Sequence, residues 1–448
     1  GPGRVWQEEA DNGYSRASFP FALAQKNANC THNGTMSFLF NDAGDVSKVW
    51  YQITQETCLY FKGDFWGQTA AAYEAELLPD GDQIKADFAA ELAARFPAQP
   101  IESLTDVYPD FNLAALTDGI SPEAMTAYGL VVDGVNYVSG CQTRYGAYPY
   151  CEWLRLPSYS TAKSLFAGMA LMRLAQKYGD DAPNLLIRDY LPETADSPGN
   201  WENVTFKNTL DLATGNYGSL LYMEDEDGPT MTKFLRAETY ADKLDAALSW
   251  PNQAEPGEKW VYHTSDTFLV TQAMQNYLQT QEGEGADIFQ MMVDEVYAPI
   301  GLGPGAFTTL RTAEDNWQGR PLGGLGLWLI PGDVAKIATL LQNGGAANGE
   351  QLLHPGLLAK AMQQDPDDPG LTTASQPFKY NMGFWAYKFG RRTGYPCEFS
   401  TPFMSGFGGI TIVMMPNDVT FYYFSDNNEY DWFDVVKEAH KNIRPLCE

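Results

Sequence analysis

Strand-forming runs stand at both ends of this chain's main body, and the stretch between them is helical. Tyr128 to Val138 reads as a β-hairpin turning at Asp133-Gly134. Ile410 to Met415 and Val419 to Phe424 flank Pro416-Asn417-Asp418 and read as a second hairpin, followed by a terminal helix from Asp431 to Asn442. Between them, Leu165, Met169, Met172 and Leu174 approximate the period of a helix running to Tyr178. The chain then stays mostly helical, broken by Gly/Pro loops, to about Gln342. A sheet with strands from both ends must receive its helical middle as an insertion. We therefore expect an α+β fold over 111–448, an antiparallel sheet flanked by helices. Its α/β lobe would span about 120–165 and 300–448, and its helical lobe about 166–300.

Residues 1–110 read as an N-terminal extension. Short β-like runs (Met36–Phe40, Val49–Ile53, Cys58–Phe61) alternate with turn residues. A helical stretch from Gln83 to Phe96 follows, stopped by Pro97 and Pro100. The opening Gly1-Pro2-Gly3 reads as a remnant of tag removal. Six cysteines occur and none forms a Cys-x-x-Cys pair, which disfavours zinc ribbons and thioredoxin-like chemistry. The even count predicts three disulfides. Sequence proximity suggests Cys30–Cys58 and Cys141–Cys151, leaving Cys397–Cys447. Such pairing places the protein in an oxidising compartment, periplasmic or secreted.

Composition narrows the partners. Asp and Glu number 57 against 29 Lys and Arg, for a formal net charge of −28. Nucleic-acid affinity is built from Lys and Arg on phosphates, so nucleic acid is excluded as a partner. An anionic membrane surface is disfavoured on the same ground. No apolar run reaches the roughly 18–20 residues of a membrane span. The 44% hydrophobic and 13% aromatic content is too high for disorder. Oligomeric state is not legible in the sequence. Three glycosylation sequons, at Asn29, Asn33 and Asn203, match chance expectation.

Several catalytic signatures are missing: Gly-x-Ser-x-Gly, His-Glu-x-x-His and the phosphate loop. The Gly301–Gly305 run lacks the strand–helix context of a dinucleotide turn. Asp365-Pro-Asp-Asp-Pro-Gly imitates a calcium loop, but Pro369 falls on a ligand position. With four histidines, a histidine-rich metal site is not expected, and neither metal nor organic cofactor is required.

What remains is Ser160-Thr-Ala-Lys163, placed where an extended segment becomes an apolar helix. A helix start leaves backbone N–H groups unpaired, and these can stabilise an oxyanion. Lys163, one turn later, returns to the face of Ser160. Partly desolvated, it can take the serine proton.

With these residues the chain resembles the serine β-lactamase/penicillin-binding protein superfamily, in the branch of class C β-lactamases, esterases and 6-aminohexanoate-dimer hydrolases. Ser160-Thr-Ala-Lys163, after Leu156-Pro-Ser-Tyr, matches the nucleophile motif, and Tyr262-His-Thr264 the second motif. Thr209–Gly218, Leu322–Leu327 and Asp333–Ala338 resemble intervening segments. Phe407-Gly408-Gly409, ahead of Ile410, aligns with the third motif. The resemblance covers roughly 120–445 and implies a β-lactamase-like fold and acyl transfer. Ser160 would attack a carbonyl carbon, Lys163 and Tyr262 would accept and relay its proton, and the N–H groups of Ser160 and Ile410 would hold the oxyanion. Thr264, Phe407, Gly408, Gly409 and Tyr217 would contact substrate.

Phe407 stands where the family carries a cation that holds a substrate carboxylate. This ranks hydrolysis of a small ester or amide above β-lactam hydrolysis. The net charge adds a preference for neutral or cationic substrates. A D-amino-acid peptidase or peptidoglycan-type hydrolase is one alternative, and a non-catalytic binding protein on the same fold is another.

Overall fold

The computed structural model describes every residue except Asp64, Tyr73, Ala75, Arg144, Tyr145, Ser375, Gln376 and Glu448, and every side chain but those of Gln55 and Glu56 as well. An antiparallel five-stranded sheet opens the chain, in the order β1 (Arg4–Trp6), β2 (Ser15–Ala24), β3 (Thr31–Phe40), β4 (Val49–Thr57) and β5 (Phe65–Thr69). Helix α1 (Gly81–Ala93) follows it. The run Cys58–Phe61, expected as strand, leaves this sheet. Cys58 is tied to Cys30 by a disulfide, and the Tyr60 hydroxyl reaches Ala28 O and Gln25 Oε1.

The main sheet has nine strands: β6 (Ala98–Pro100), β7 (Met125–Val132), β8 (Val135–Val138), β9 (Leu371–Thr372), β10 (Phe378–Asn381), β11 (Phe384–Phe389), β12 (Phe399–Gly406), β13 (Ile410–Met414) and β14 (Thr420–Ser425). Its spatial order is β9-β10-β11-β12-β13-β14-β7-β8-β6. All pairings are antiparallel except β6 with β8. The two expected hairpins are β7–β8, turning at Asp133 and Gly134 with φ of 48° and 75°, and β13–β14. They meet along β14 and β7, so the two ends of the body close one sheet. Strand β6 lies within the segment read as extension, so the main sheet borrows its edge from before residue 111.

Period-two alternation feeds two cores. Ile412, Met414, Tyr422 and Phe424 pack on one face with α2 (Met169–Tyr178), α5 (Thr264–Glu282) and α6 (Pro331–Gln342). Val413, Phe421 and Tyr423 pack on the other with α7 (Phe433–Asn442) and with Ile101 and Phe111. Each fully buried side chain of this size contributes roughly 1.5–3 kcal/mol. The short helices α3 (Pro229–Arg236) and α4 (Tyr240–Ala247) stand against α5 in the helical middle.

All six cysteines are paired, as Cys30–Cys58, Cys141–Cys151 and Cys397–Cys447. Among the described residues no helix is long and apolar enough to cross a membrane. Asn29 and Asn33 are buried and hydrogen-bonded within the fold, whereas Asn203 is exposed.

Candidate active site

Leu156–Pro157 pairs with Trp328–Leu329 and delivers the chain to a 3₁₀ turn, Tyr159–Thr161, carrying Ser160. A π-helical turn, Lys163–Gly168, runs on into α2. Ser160 is partly exposed while Lys163 is 1% exposed, so the hydroxyl side chain reaches solvent and the amine is sealed behind it. Tyr262 and Thr264 come from the extended segment that ends at the start of α5.

These four residues converge. Lys163 Nζ lies 2.9 Å from Ser160 Oγ, 2.9 Å from Thr264 Oγ1, 3.5 Å from Gly324 O and 4.8 Å from the Tyr262 ring centre. Ser160 eases the charge on the Tyr262 phenol, though less than burial and Glu226 oppose it. Burial pushes the Lys163 ammonium down to about 8, with Glu226 and Asp266 pulling the other way. Burial, then the nearby Glu226 carboxylate, holds the Tyr262 phenol well above its usual range, so it stays protonated.

Hydrogen-bond directions follow from one residue the sequence reading missed. Glu226 accepts the Thr264 N–H at 2.8 Å and the Thr264 hydroxyl at 2.5 Å. A hydroxyl has one proton. Spent on Glu226, it leaves Thr264 Oγ1 only able to accept, from Lys163. Gly324 O is likewise only an acceptor. A neutral amine between these two turns its N–H bonds toward them, and its lone pair faces the Ser160 hydroxyl. Glu226 lies in the acidic run Glu224–Asp227, at no fixed spacing from any motif, so the sequence carried no signal for it beyond charge.

His263 turns away from Tyr262, as alternation along an extended segment requires. Its ring stacks on Trp250 at 4.4 Å, with Nε2 2.9 Å from Asp225 and Nδ1 3.6 Å from Asp266. Burial opposes its charge, but Asp266 and Asp225 together raise it to about 9. Asp225 is held below the usual carboxylate range, burial being outweighed by His263 and by the Gly218 and Ser219 N–H groups, so it is the ion-pair partner. Asp266, farther off and fully enclosed, is pushed up by burial.

Phe407, Gly408 and Gly409 form the turn between β12 and β13, the two glycines at φ of 91° and 88°. Phe407 is 42% exposed and packs on Tyr159 at 5.6 Å and on Tyr60 of the extension at 6.3 Å. Ile410 is fully buried and paired on both sides, with Gly406 and with Phe424, so its backbone is spent in the ladder. β12 differs, because β11 covers it only through Phe403 and leaves Met404–Gly406 open on that edge. There Gly406 crosses the Tyr159–Thr161 turn so closely that a Cβ would stand 2.8 Å from Ser158 O and 3.4 Å from Ser160 N. Tyr217 is buried, its N–H on Pro251 O, and the glycine and serine after it cap Asp225. Exposed Tyr222 stacks on Trp260, and the hydroxyl of exposed Tyr430 reaches Gly406 O.

One three-residue grouping has metal-ligand geometry among the described residues, Cys30, His32 and Cys58. Its two sulfurs are joined as a disulfide, which leaves no thiolate to ligate an ion.

The fold has counterparts among solved structures. Among curated protein sequences, none matches this chain. A solved structure from Bacillus anthracis, provisionally named a 6-aminohexanoate-dimer hydrolase, superposes with a TM-score of 0.55 at 16% identity, covering 78% of this chain and 89% of that one. A penicillin-binding protein homologue from Caulobacter crescentus gives 0.51 at 15% identity, with 74% and 97% covered. At these identities the likeness is one of fold. The sequence profile of the β-lactamase family matches residues 130–437, a span holding Ser160, Lys163, Tyr262 and the β12–β13 turn. The chain belongs to the β-lactamase family.

Proposed function

We propose that this protein is a serine hydrolase of a small neutral or cationic carboxylic ester or amide, acting through an acyl-enzyme on Ser160. The observation that carries the reading is the Glu226–Thr264–Lys163–Ser160 hydrogen-bond chain, which leaves the lone pair of the buried amine, once deprotonated, facing Ser160.

Ser160 Oγ bonds to the substrate carbonyl carbon while its proton passes to Lys163 Nζ, and the carbonyl π pair moves onto oxygen. The N–H of Ser160 and a backbone donor from the open edge of β12, in place of Ile410, hold that oxyanion. As the tetrahedral centre collapses, the bond to the leaving group breaks and the Tyr262 phenol protonates the departing oxygen or nitrogen. Lys163 returns the proton to Tyr262. Water then attacks the ester carbon, giving its proton to the Lys163–Tyr262 pair, and Ser160 leaves with a proton restored.

Phe407 and Tyr159 supply an apolar wall where a carboxylate-binding cation would stand. Glu226 beside Lys163, and the chain's net charge of −28, add negative potential, which disfavours anionic substrates. The three disulfides fit an oxidising compartment, periplasmic or extracellular.

The test is incubation with p-nitrophenyl esters, a chromogenic β-lactam and a fluorophosphonate probe. Ester turnover with probe labelling that vanishes in Ser160→Ala is expected. Labelling by penicillin alone would favour a peptidoglycan-type enzyme, and no labelling would favour a binding protein.

A further inference from the structure

The nucleophile turn is held by a residue outside the span that the family profile matches. Asn29, in the β2–β3 connection, is fully buried with φ of 59°. Its Oδ1 accepts from Tyr159 N at 2.8 Å, Gly326 N at 2.9 Å and Ser158 Oγ at 3.1 Å. Its Nδ2 donates to Leu327 O at 3.2 Å. The amide is itself anchored, because Thr31 donates to Asn29 O and accepts from Trp328 Nε1, and the next residue is disulfide-bonded Cys30.

Tyr159 makes this contact consequential. Its φ of 40° is a conformation a bulky side chain adopts only when its surroundings impose it. The N–H brought inward by that conformation ends on Asn29, one residue before Ser160. The second segment gripped by the same oxygen, at Gly326, leads back two residues to Gly324, whose carbonyl lies beside Lys163 Nζ. One side-chain amide therefore spans the turn that aims Ser160 and the loop that faces its base.

We propose that Asn29 is a positioning residue for Ser160, so that the N-terminal extension sets the approach of the nucleophile to Lys163; this rests on Ser160 being the nucleophile. A general adhesive role is separable, because Asn33 is also buried and clamps the same strand earlier. It accepts from Arg155 N at 2.9 Å and donates to Arg155 O at 3.0 Å.

The test uses the full chain and three variants. Asn29→Gly removes the amide and tolerates the positive φ without strain. Asn29→Asp keeps an acceptor oxygen for Tyr159 and Gly326. Asn33→Ala is the adhesive control. Fluorophosphonate labelling rate, kcat and KM for a p-nitrophenyl ester, the pH profile and Tm are read for each. For Asn29→Gly we expect labelling and kcat to fall about 10- to 100-fold, the scale of a slightly misplaced reacting group. KM should stay within about twofold and the rise in rate near pH 8 should not move. Asn29→Asp should recover part of the loss, and Asn33→Ala should lower Tm with kcat within about twofold of wild type. Wild-type kcat in Asn29→Gly, or a loss in Asn33→Ala matching it at equal Tm, would overturn the proposal. If Asn29→Gly does not accumulate folded, Ser158→Ala, which removes one of the three donors, decides. A drop of roughly threefold or more supports the proposal, and an unchanged rate overturns it. A wild-type protein that the probe never labels refutes the hydrolase reading instead.

Discussion

Replacing Glu226 by glutamine alters charge and hydrogen-bond direction together, and the structure gives each a separate signature. Thr264 Oγ1 stands 2.5 Å from Glu226 Oε1 and 2.9 Å from Lys163 Nζ, which puts the carboxylate roughly 5 Å from the amine. At an effective dielectric of about 20, two unit charges at that distance attract by about 3 kcal/mol. This attraction opposes the burial that drives Lys163 down to about 8. Without it the amine loses its proton more readily, and the rising limb of kcat/KM moves toward acid by one to two pH units, ~1.4 kcal/mol each.

The second signature is in the plateau. To satisfy the Thr264 N–H, the new amide must keep its oxygen there and aim its NH₂ at Thr264 Oγ1. The Thr264 hydroxyl then turns its own proton toward Lys163 and competes with Ser160 for the lone pair. Losing one such directional bond is worth roughly 1.5–3 kcal/mol, so the plateau should fall about 10- to 100-fold. The assay is p-nitrophenyl ester hydrolysis between about pH 5 and 9, corrected for spontaneous cleavage. A limb that stays at pH 8 with full activity, or moves toward alkali, would refute the wiring.

Three other outcomes are expected. His263, raised to about 9 from an ordinary 6.5, stabilises the fold fully below 6.5 and loses that contribution as pH rises through 9. Lys163, lowered to about 8, works oppositely only above 8, so Tm should fall between pH 6.5 and 8, and His263→Asn should flatten the fall; a steep fall that survives the substitution would contradict the pairing with Asp225. Neutral and cationic esters should outpace a matched anionic ester at low salt, with the gap narrowing as ionic strength rises; a preference for the anion would end the charge argument. Denatured but unreduced protein should show no titratable thiol, since all six cysteines are paired; six thiols would remove the case for an oxidising compartment.

Covalent neighbours were legible and long-range partners were not. Ser160 and Lys163 meet because one helical turn brings them together, a spacing the sequence displays, whereas Tyr262 was picked out only by the resemblance to the family's second motif. Two disulfides followed from proximity, Cys141 and Cys151 being 10 residues apart, and Cys397–Cys447, 50 residues apart, was left by elimination. Asn29 and Glu226 reach the site across 130 and 38 residues, respectively, at contacts no local pattern encodes. Phe407-Gly-Gly was aligned with the family's third motif, but the backbone passing over Ser160 is the end of β12 just before it. Which edge of a strand stays open depends on where the neighbouring ladder ends, and the pairing of β11 with β12 ends at Trp385 and Phe403. Strand β6 was hidden because three residues ending in proline carry no alternation to read.

The proposed hydrolysis depends on a covalent bond forming at Ser160. Mixing the protein with a p-nitrophenyl ester, quenching in acid within the first turnover and mapping the peptides by mass measures that bond directly. We predict one acyl group on the peptide holding Ser160, appearing with the p-nitrophenol burst and missing in Ser160→Ala. Hydrolysis that proceeds with Ser160 unmodified, or survives its replacement by alanine, would contradict the account.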